Sequence, residues 1–328
     1  VRSLHRPLRN FPKPQASLLA FFDCRRYILA TQSHYRKEKP MEAKELLREG
    51  KTKKIWRYPG TTYDVLAEFK DDITAGDGAR RAAFEGKGAY SNVVNAKCFE
   101  LLSAHGIPNH FVEEVGEKTF RARQLEMIPT EVVVRRIATG SYLKRRPDVD
   151  EGERFEEPVV EFFAKIDAEH DPLMIRDFVS QRVLLFDAKR PLADGFLREV
   201  TFRERDLDWA VTRQLVSLAE RTFLVLEDAW AGQNVTLVDL KIECGNDIRS
   251  GEIVVGDVIT NDEWRIWPGG EKGRQLDKQV FREMPEATME AMAALKANYA
   301  KVAKMTSAFR IPPKEWRGIT TRHSTADP

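Results

Sequence analysis

Between residue 44 and about residue 120 the apolar and polar positions change period in a way that predicts a small α+β unit. Residues 53–58 and 64–70 read as strands, and in the second Val65, Ala67 and Phe69 alternate with polar neighbours, the pattern of a strand with one buried face. The period then becomes helical. Val94, Cys98, Leu101 and Leu102 fall on one side of a helix, with Ser91 as its N-cap and Gly106 and Pro108 as its stop. Residues 120–128 and 131–136 read as two strands broken at Pro129, the expected crossing between lobes. Thr201 and Glu204 have capping-box spacing ahead of an amphipathic helix. Its buried side carries Leu207, Val211, Leu215, Leu218, Thr222, Val225 and Trp230, and Gly232 ends it. Residues 284–305 read as a last helix, whose methionines are packing residues.

The most informative stretch is 237–243. Strand geometry puts Asp239, Lys241 and Glu243 on one face, and Val238, Leu240 and Ile242 on the other. The second set reads as core, leaving acid, base and acid in a row on an exposed side. A turn-rich segment, 245–251, and a returning strand, 252–257, would bring Asp257 beside Lys241 and Glu243. Two carboxylates and an ammonium can hold Mg²⁺ with the phosphates it bridges. They can equally form a cross-strand salt bridge on a solvated sheet, and the segment by itself favours neither.

Composition narrows the class. The chain has 328 residues, 42% of them hydrophobic, with six Trp and 18 Phe, enough core for two lobes of a globular protein. Lys and Arg number 53 against 51 Asp and Glu. The first forty residues alone carry nine Lys or Arg against Asp23 and Glu38, so they hold +7 of a total of +2 and the remainder is −5. A mildly acidic body gives no electrostatic reason to expect nucleic-acid binding, so phosphate-binding groups must be local. Cys24, Cys98 and Cys244 lack CxxC spacing and are odd in number, which implies neither a disulfide framework nor a zinc site and suits a reducing cytoplasm. No apolar run approaches a membrane span or a signal core. The Arg-rich arm over residues 1–40 is expected to be a disordered tail or residues upstream of a start at Met41, with an organellar transit segment as the alternative.

Three further segments carry candidate chemistry. Lys51 and Lys53 flank Thr52 after Gly50, so a strand there would point both ammoniums to one side, toward a pair of phosphates or into solvent. The segment 72–80 holds Thr74, Gly76 and Asp77 among small residues and lets backbone amides approach an anion, although an ordinary turn is read as easily. The segment 128–141 runs a strand into a small-residue turn ending in Ser141, so Arg135 as a fork and Ser141 as a donor could hold a phosphate monoester. Arg135, Arg136, Lys144, Arg145 and Arg146 form an alternative nucleic-acid patch, but only Tyr142 interleaves it.

Taken together, residues 128–141, 237–245 and 261–268 resemble the phosphoribosylaminoimidazole-succinocarboxamide synthase (SAICAR synthetase) family, over roughly residues 44–305. The wording of residues 136–141, 234–243 and 261–268 looks most like the animal-type synthetase domain, which is fused to a carboxylase. About twenty residues after Met305 are too few for that domain, so a monofunctional chain is expected. One position departs from the family: Cys244 stands where Phe or Ile is usual. The resemblance implies an α+β, two-lobed, ATP-grasp-like fold. Residues 41–125 would form the small lobe, 126–310 the larger lobe with ATP between them, and 311–328 a tail.

The resemblance also implies ligation of L-aspartate to carboxyaminoimidazole ribotide (CAIR) with ATP and Mg²⁺. Carried over by position, Lys51 and Lys53 hold ATP phosphates, residues 124–127 including Met127 border the adenine, and Lys165 and Asp171 lie near nucleotide and metal. Glu243 and Asp257 bind Mg²⁺, and Lys241 stands between nucleotide and ribotide. Arg135, Ser141 and Arg265 hold the ribotide phosphate, Asp239 faces its imidazole or ribose, and Thr74, Gly76 and Asp77 border acyl transfer and the aspartate. A cytoplasmic homo-oligomer that binds neither nucleic acid nor membrane is expected. His170 reads as a hydrogen-bonded loop residue and not a general base. Two rivals stand beside this reading: another ATP-dependent small-molecule kinase or ligase on the same scaffold, and a nucleotide- or RNA-binding regulator.

Overall fold

The computed structural model describes residues 45–76, 78–177, 179–201 and 207–313. Its first element group is a five-stranded antiparallel sheet in the order β1-β2-β3-β7-β6. These strands are β1 (Leu46–Glu49), β2 (Lys53–Arg57), β3 (Asp64–Phe69), β6 (Phe111–Gly116) and β7 (Thr119–Arg123). The alternation expected for β3 holds, since Val65, Ala67 and Phe69 are buried together with Phe120, Ala122 and Val258. Between β3 and β6 come a two-stranded hairpin, β4 (Asp72–Ala75) and β5 (Arg80–Ala83), and the helix α1 (Lys87–Ala104).

Helix α1 starts four residues before Ser91. Gly86, in the left-handed region, is its N-cap, and Ser91 is buried within the helix, because Lys87 and Gly88 already pack inward. Gly88 leaves no room for a side chain: a Cβ there would lie 2.9 Å from the carbonyl oxygen of Phe69. Val94, Cys98, Leu101 and Leu102 are buried as the spacing predicts, and Gly106 (φ +67) follows the last turn.

At Gln124 the chain passes from β7 into an eight-stranded antiparallel sheet, counted among the described residues. It runs β12-β11-β10-β9-β8-β13-β14, with β15 pairing on β13. The strands are β8 (Leu125–Ile137), β9 (Arg154–Ala164), β10 (Leu173–Asp177), β11 (Arg182–Phe186), β12 (Arg198–Thr201), β13 (Val235–Asp247), β14 (Ile253–Gly256) and β15 (Trp264–Pro268). Pro129 does not break β8. Its position falls at a register shift against β13 and before the pairing with β9 begins at Thr130, so its missing N–H costs the sheet no bond.

A short helix, α2 (Ser141–Arg145), follows β8, and α3 (Trp209–Ala231) covers the sheet. Asp208 caps α3 by accepting a hydrogen bond from the Val211 N–H at 2.8 Å; Thr201 instead ends β12, and Glu204 lies outside the described residues. The apolar side of α3, including Leu215, Leu218, Phe223 and Trp230, joins Val132, Val134, Leu240 and Ile242 of the sheet and Leu101 of α1 in the main core. Two helices close the described chain, α4 (Gln279–Glu283) and α5 (Met289–Ser307). The single helix expected over 284–305 is shorter at its start because Thr288 caps α5 after Pro285. Cys244 is buried in the main core, on the side away from the charged trio.

Candidate functional site

The site is built on β13 and its two neighbours. Asp239 and Glu243 are each only 5% exposed, so the charged face expected to meet solvent is largely covered, with the Lys241 side chain a quarter exposed between them. Neighbouring strands and loops bring charges against it. The register pairs Asp239 with Arg135 and Glu243 with Glu131 on β8, and Glu243 with Gly256 on β14. Val238 is buried, but with Ile137 and Trp267 and not in the main core, which takes Leu237 instead. A bulge against β15 between Leu237 and Asp239 explains this, since one extra residue swaps the faces beyond it.

At the β14 end, the Lys241 ammonium contacts Glu243 at 2.9 Å and Glu131 at 3.2 Å. Lys165 contacts Glu243 at 2.7 Å and Glu131 at 3.9 Å. Burial alone would depress the Lys241 ammonium, but Glu243 and Glu131, with Glu263 and Asp257, hold it well above the ordinary lysine value. Asp257, at φ +55 just past β14, pairs with Lys53 of β2. Burial would raise its carboxyl, but Lys53 and Lys241 hold it well below the usual carboxylate range. His110 lies 2.8 Å from the Asp257 carbonyl oxygen. Burial pushes that imidazole down to about 4, so it is neutral near pH 7 and donates its Nε2–H. Lys51 sits outside the strand and exposed, 3.9 Å from Asp167, so only Lys53 of the expected pair reaches the cluster.

At the β15 end, Arg135 donates to Asp239 at 2.6 Å and to Glu161 of β9 at 2.9 and 3.1 Å. It is 2% exposed, and its Nε, Nη1 and Nη2 each donate to a carboxylate. Arg265 of β15 also pairs with Asp239, and that carboxylate raises the guanidinium further. Arg265 lines a cavity of about 140 Å³ with Thr139, Gly140, Glu151, Trp267 and Lys272. Gly140 has φ +62, and a Cβ there would come 2.7 Å from Arg265 Nη2. Ser141, the next residue, opens α2.

Arg136 points to the opposite side of β8 and forms two 2.7 Å bonds with Glu227 of α3. Arg145 is buried against Glu161. Of the five basic residues over 135–146, only Lys144 and Arg146 are exposed, so the cluster forms no continuous basic patch.

Thr74 and Gly76 lie on the β4–β5 hairpin, whose Ile73 and Ala75 pack on Phe84, Phe281, Met284, Leu295 and Tyr299. No described hydrogen bond or ion pair joins them to the Lys241 cluster; Asp77 lies outside the described residues. Met127 stands half exposed over Gly256, where a Cβ would meet its sulfur at 3.5 Å. Asp171 accepts from the Ile166 N–H at 2.9 Å and shapes the loop after Lys165.

Two participants were absent from the sequence reading. Glu131 shares the face of Arg135 by simple alternation along β8, and Glu161 is a lone acid in the apolar run Val159 to Phe163; both signals were readable. The oxygen donors of Glu131, Glu243 and Asp257 suit Mg²⁺ in kind. Among the described residues no three or more His, Cys, Asp or Glu side chains gather closely enough to hold a metal ion. A cation there would complete its shell with phosphate oxygens and water.

Residues 46–298 match the family model described as SAICAR synthetase. Phosphoribosylaminoimidazole-succinocarboxamide synthase of Roseiflexus sp. (strain RS-1) is 44% identical over 270 residues, 82% of this chain and 99% of that protein. The human bifunctional phosphoribosylaminoimidazole carboxylase/phosphoribosylaminoimidazole succinocarboxamide synthetase is 42% identical over 86% of this chain, which spans 62% of it. A solved SAICAR synthetase (Type-2) in complex with ADP superposes with a TM-score of 0.65 at 32% identity, over 81% of this chain and 99% of the other.

Proposed function

We infer that this chain, which belongs to the SAICAR synthetase family, joins L-aspartate to the carboxylate of CAIR with ATP, releasing SAICAR, ADP and phosphate. A carboxylate is a poor acyl donor. Phosphorylation to an acyl phosphate followed by attack of the aspartate amine resolves this, and the protein's share is positioning and charge neutralisation.

The observation that carries the reading is that one strand face joins two cationic ends. Lys53, Lys165 and Lys241 gather at Glu243 and Asp257, while Arg135 and Arg265 gather at Asp239. We assign the first end to ATP, with Lys51 at its rim and Met127 beside the adenine. Glu243 and Asp257 would hold Mg²⁺, which neutralises phosphate charge when bound. The second end takes the ribotide, with Arg265 and Ser141 toward its phosphate, Arg135 behind them and Asp239 toward the imidazole or ribose. Lys241 lies between the two and would stabilise charge on the transferring phosphoryl group. Thr74 and Gly76, with Asp77 of the same segment, are assigned to the border of the aspartate subsite. Among the described residues no helix is long and apolar enough to cross a membrane. We place the enzyme in the cytoplasm as a homo-oligomer, which native mass measurement checks.

The deciding assay measures ADP release with ATP, aspartate and CAIR. Release is expected to require all three. Release at the full rate without aspartate, with a stable phosphorylated ribotide as the product, would overturn the ligase reading in favour of a small-molecule kinase.

A further inference from the structure

The arginine end of the site is a closed ring of contacts in which only Arg265 and Gly140 line the cavity. Glu161 divides its carboxylate between two buried guanidiniums: Oε2 accepts from Arg135, and Oε1 accepts from Arg145. Arg145, 1% exposed, also donates to the Ala188 carbonyl oxygen at 2.7 Å. From Arg135 the ring passes to Asp239 and then to Arg265. Arg265 lies against Gly140, the residue before α2, and α2 carries Arg145.

Within this ring three guanidiniums share two carboxylates, and Glu151, Glu283 and Lys272 also line the cavity, so what the ring supplies to an anion is the aim of Arg265 and not a net surplus of charge. Glu161, which holds two of the guanidiniums, is the group on which the spacing depends. Arg135 spends Nε and Nη2 on Glu161 and Nη1 on Asp239, so its plane is fixed by Glu161, and Asp239 is aimed by Arg135.

We propose that Glu161 and Arg145 are positioning residues for the ribotide. They set Arg135 and Asp239 at one end of the ring and the Gly140–Ser141 turn at the other. Arg145 ties both to the connection between β11 and β12 through Ala188. This assigns the segment after β11, which no expected site residue had explained, the task of holding α2 in place. The inference rests on the proposed reaction, because the ribotide is the anion that occupies the cavity.

Steady-state kinetics of Glu161→Gln, Arg145→Met and the double variant test it. Glu161→Gln is expected to raise the CAIR KM at least tenfold while the KM values for ATP and aspartate stay within twofold of wild type. A purely structural role would move all three together. The double variant should be little worse than the more severe single one, since both substitutions open the same ring. If Glu161→Gln does not accumulate as folded protein, Arg145→Met, which keeps Glu161 bonded to Arg135, carries the same test. A CAIR KM within twofold of wild type, or parallel rises for all substrates, would overturn the assignment alone. Wild-type protein that releases no ADP with the three substrates would overturn the reaction, and the assignment with it.

Discussion

Replacing Lys241 with methionine keeps most of the side-chain volume and removes one charge from the centre of the site. The ammonium makes contacts of 2.9 Å to Glu243 and 3.2 Å to Glu131. Charge-assisted hydrogen bonds are worth roughly 1.5–3 kcal/mol each. Lys165 remains within 2.7 Å of Glu243, and the Lys241 side chain is a quarter exposed, so the net cost to stability should be only about 2 kcal/mol. Turnover should fall further, because removing one preorganised donor from developing charge typically costs about 2.7–4 kcal/mol, or 10²–10³ in kcat.

Urea denaturation and ADP release with all three substrates are the measurements. With Lys165 still bridging Glu243 at 2.7 Å and Glu131 at 3.9 Å, the fold should survive the substitution. A loss of fold, or a kcat within tenfold of wild type, would refute the reasoning.

Asp257→Asn leaves Lys53 without its carboxylate, and ADP release should drop at least about 100-fold with an unchanged circular dichroism spectrum. Gly140→Ala forces a Cβ into Arg265 at a backbone φ of +62, so the CAIR KM should rise while the ATP KM holds; equal values for wild type and variant would separate the turn from the ribotide. Glu114, on β6, accepts from Asn92, and burial pushes its carboxyl up to about 7 from 4.5. The folded form thus binds the proton more tightly, and stability is lost as pH rises between those values, by up to about 3 kcal/mol. Glu114→Gln should lack that loss, which denaturant midpoints at pH 4.5 and 8 will show.

The helices and strands were readable where their patterns are local. Val65, Ala67 and Phe69 face the core of the small sheet, and Leu215, Leu218 and Trp230 line the buried side of α3, because period alone decides which residues share a face. Starts were read less well. Ser91 and Thr201 looked like caps, but helix α1 begins where Gly88 can approach Phe69, and Asp208 outcompetes Thr201 as a cap beside Val211. Pro129 looked like a break, and it is absorbed by a register shift that only the pairing with β13 defines.

The same division runs through the site. That Asp239, Lys241 and Glu243 share a face was a property of the sequence by itself, since alternation needs no partner strand. Which charges meet them was decided by the tertiary structure. Glu131, Glu161, Lys165 and Lys53 reach that face from strands and loops far away in the chain, through register and sheet order that hydrophobic periodicity does not encode. Burial followed from the same assembly: it turned an apparently exposed charged strand into a largely covered one, and it spent Arg135 on two carboxylates while leaving Arg265 at the cavity.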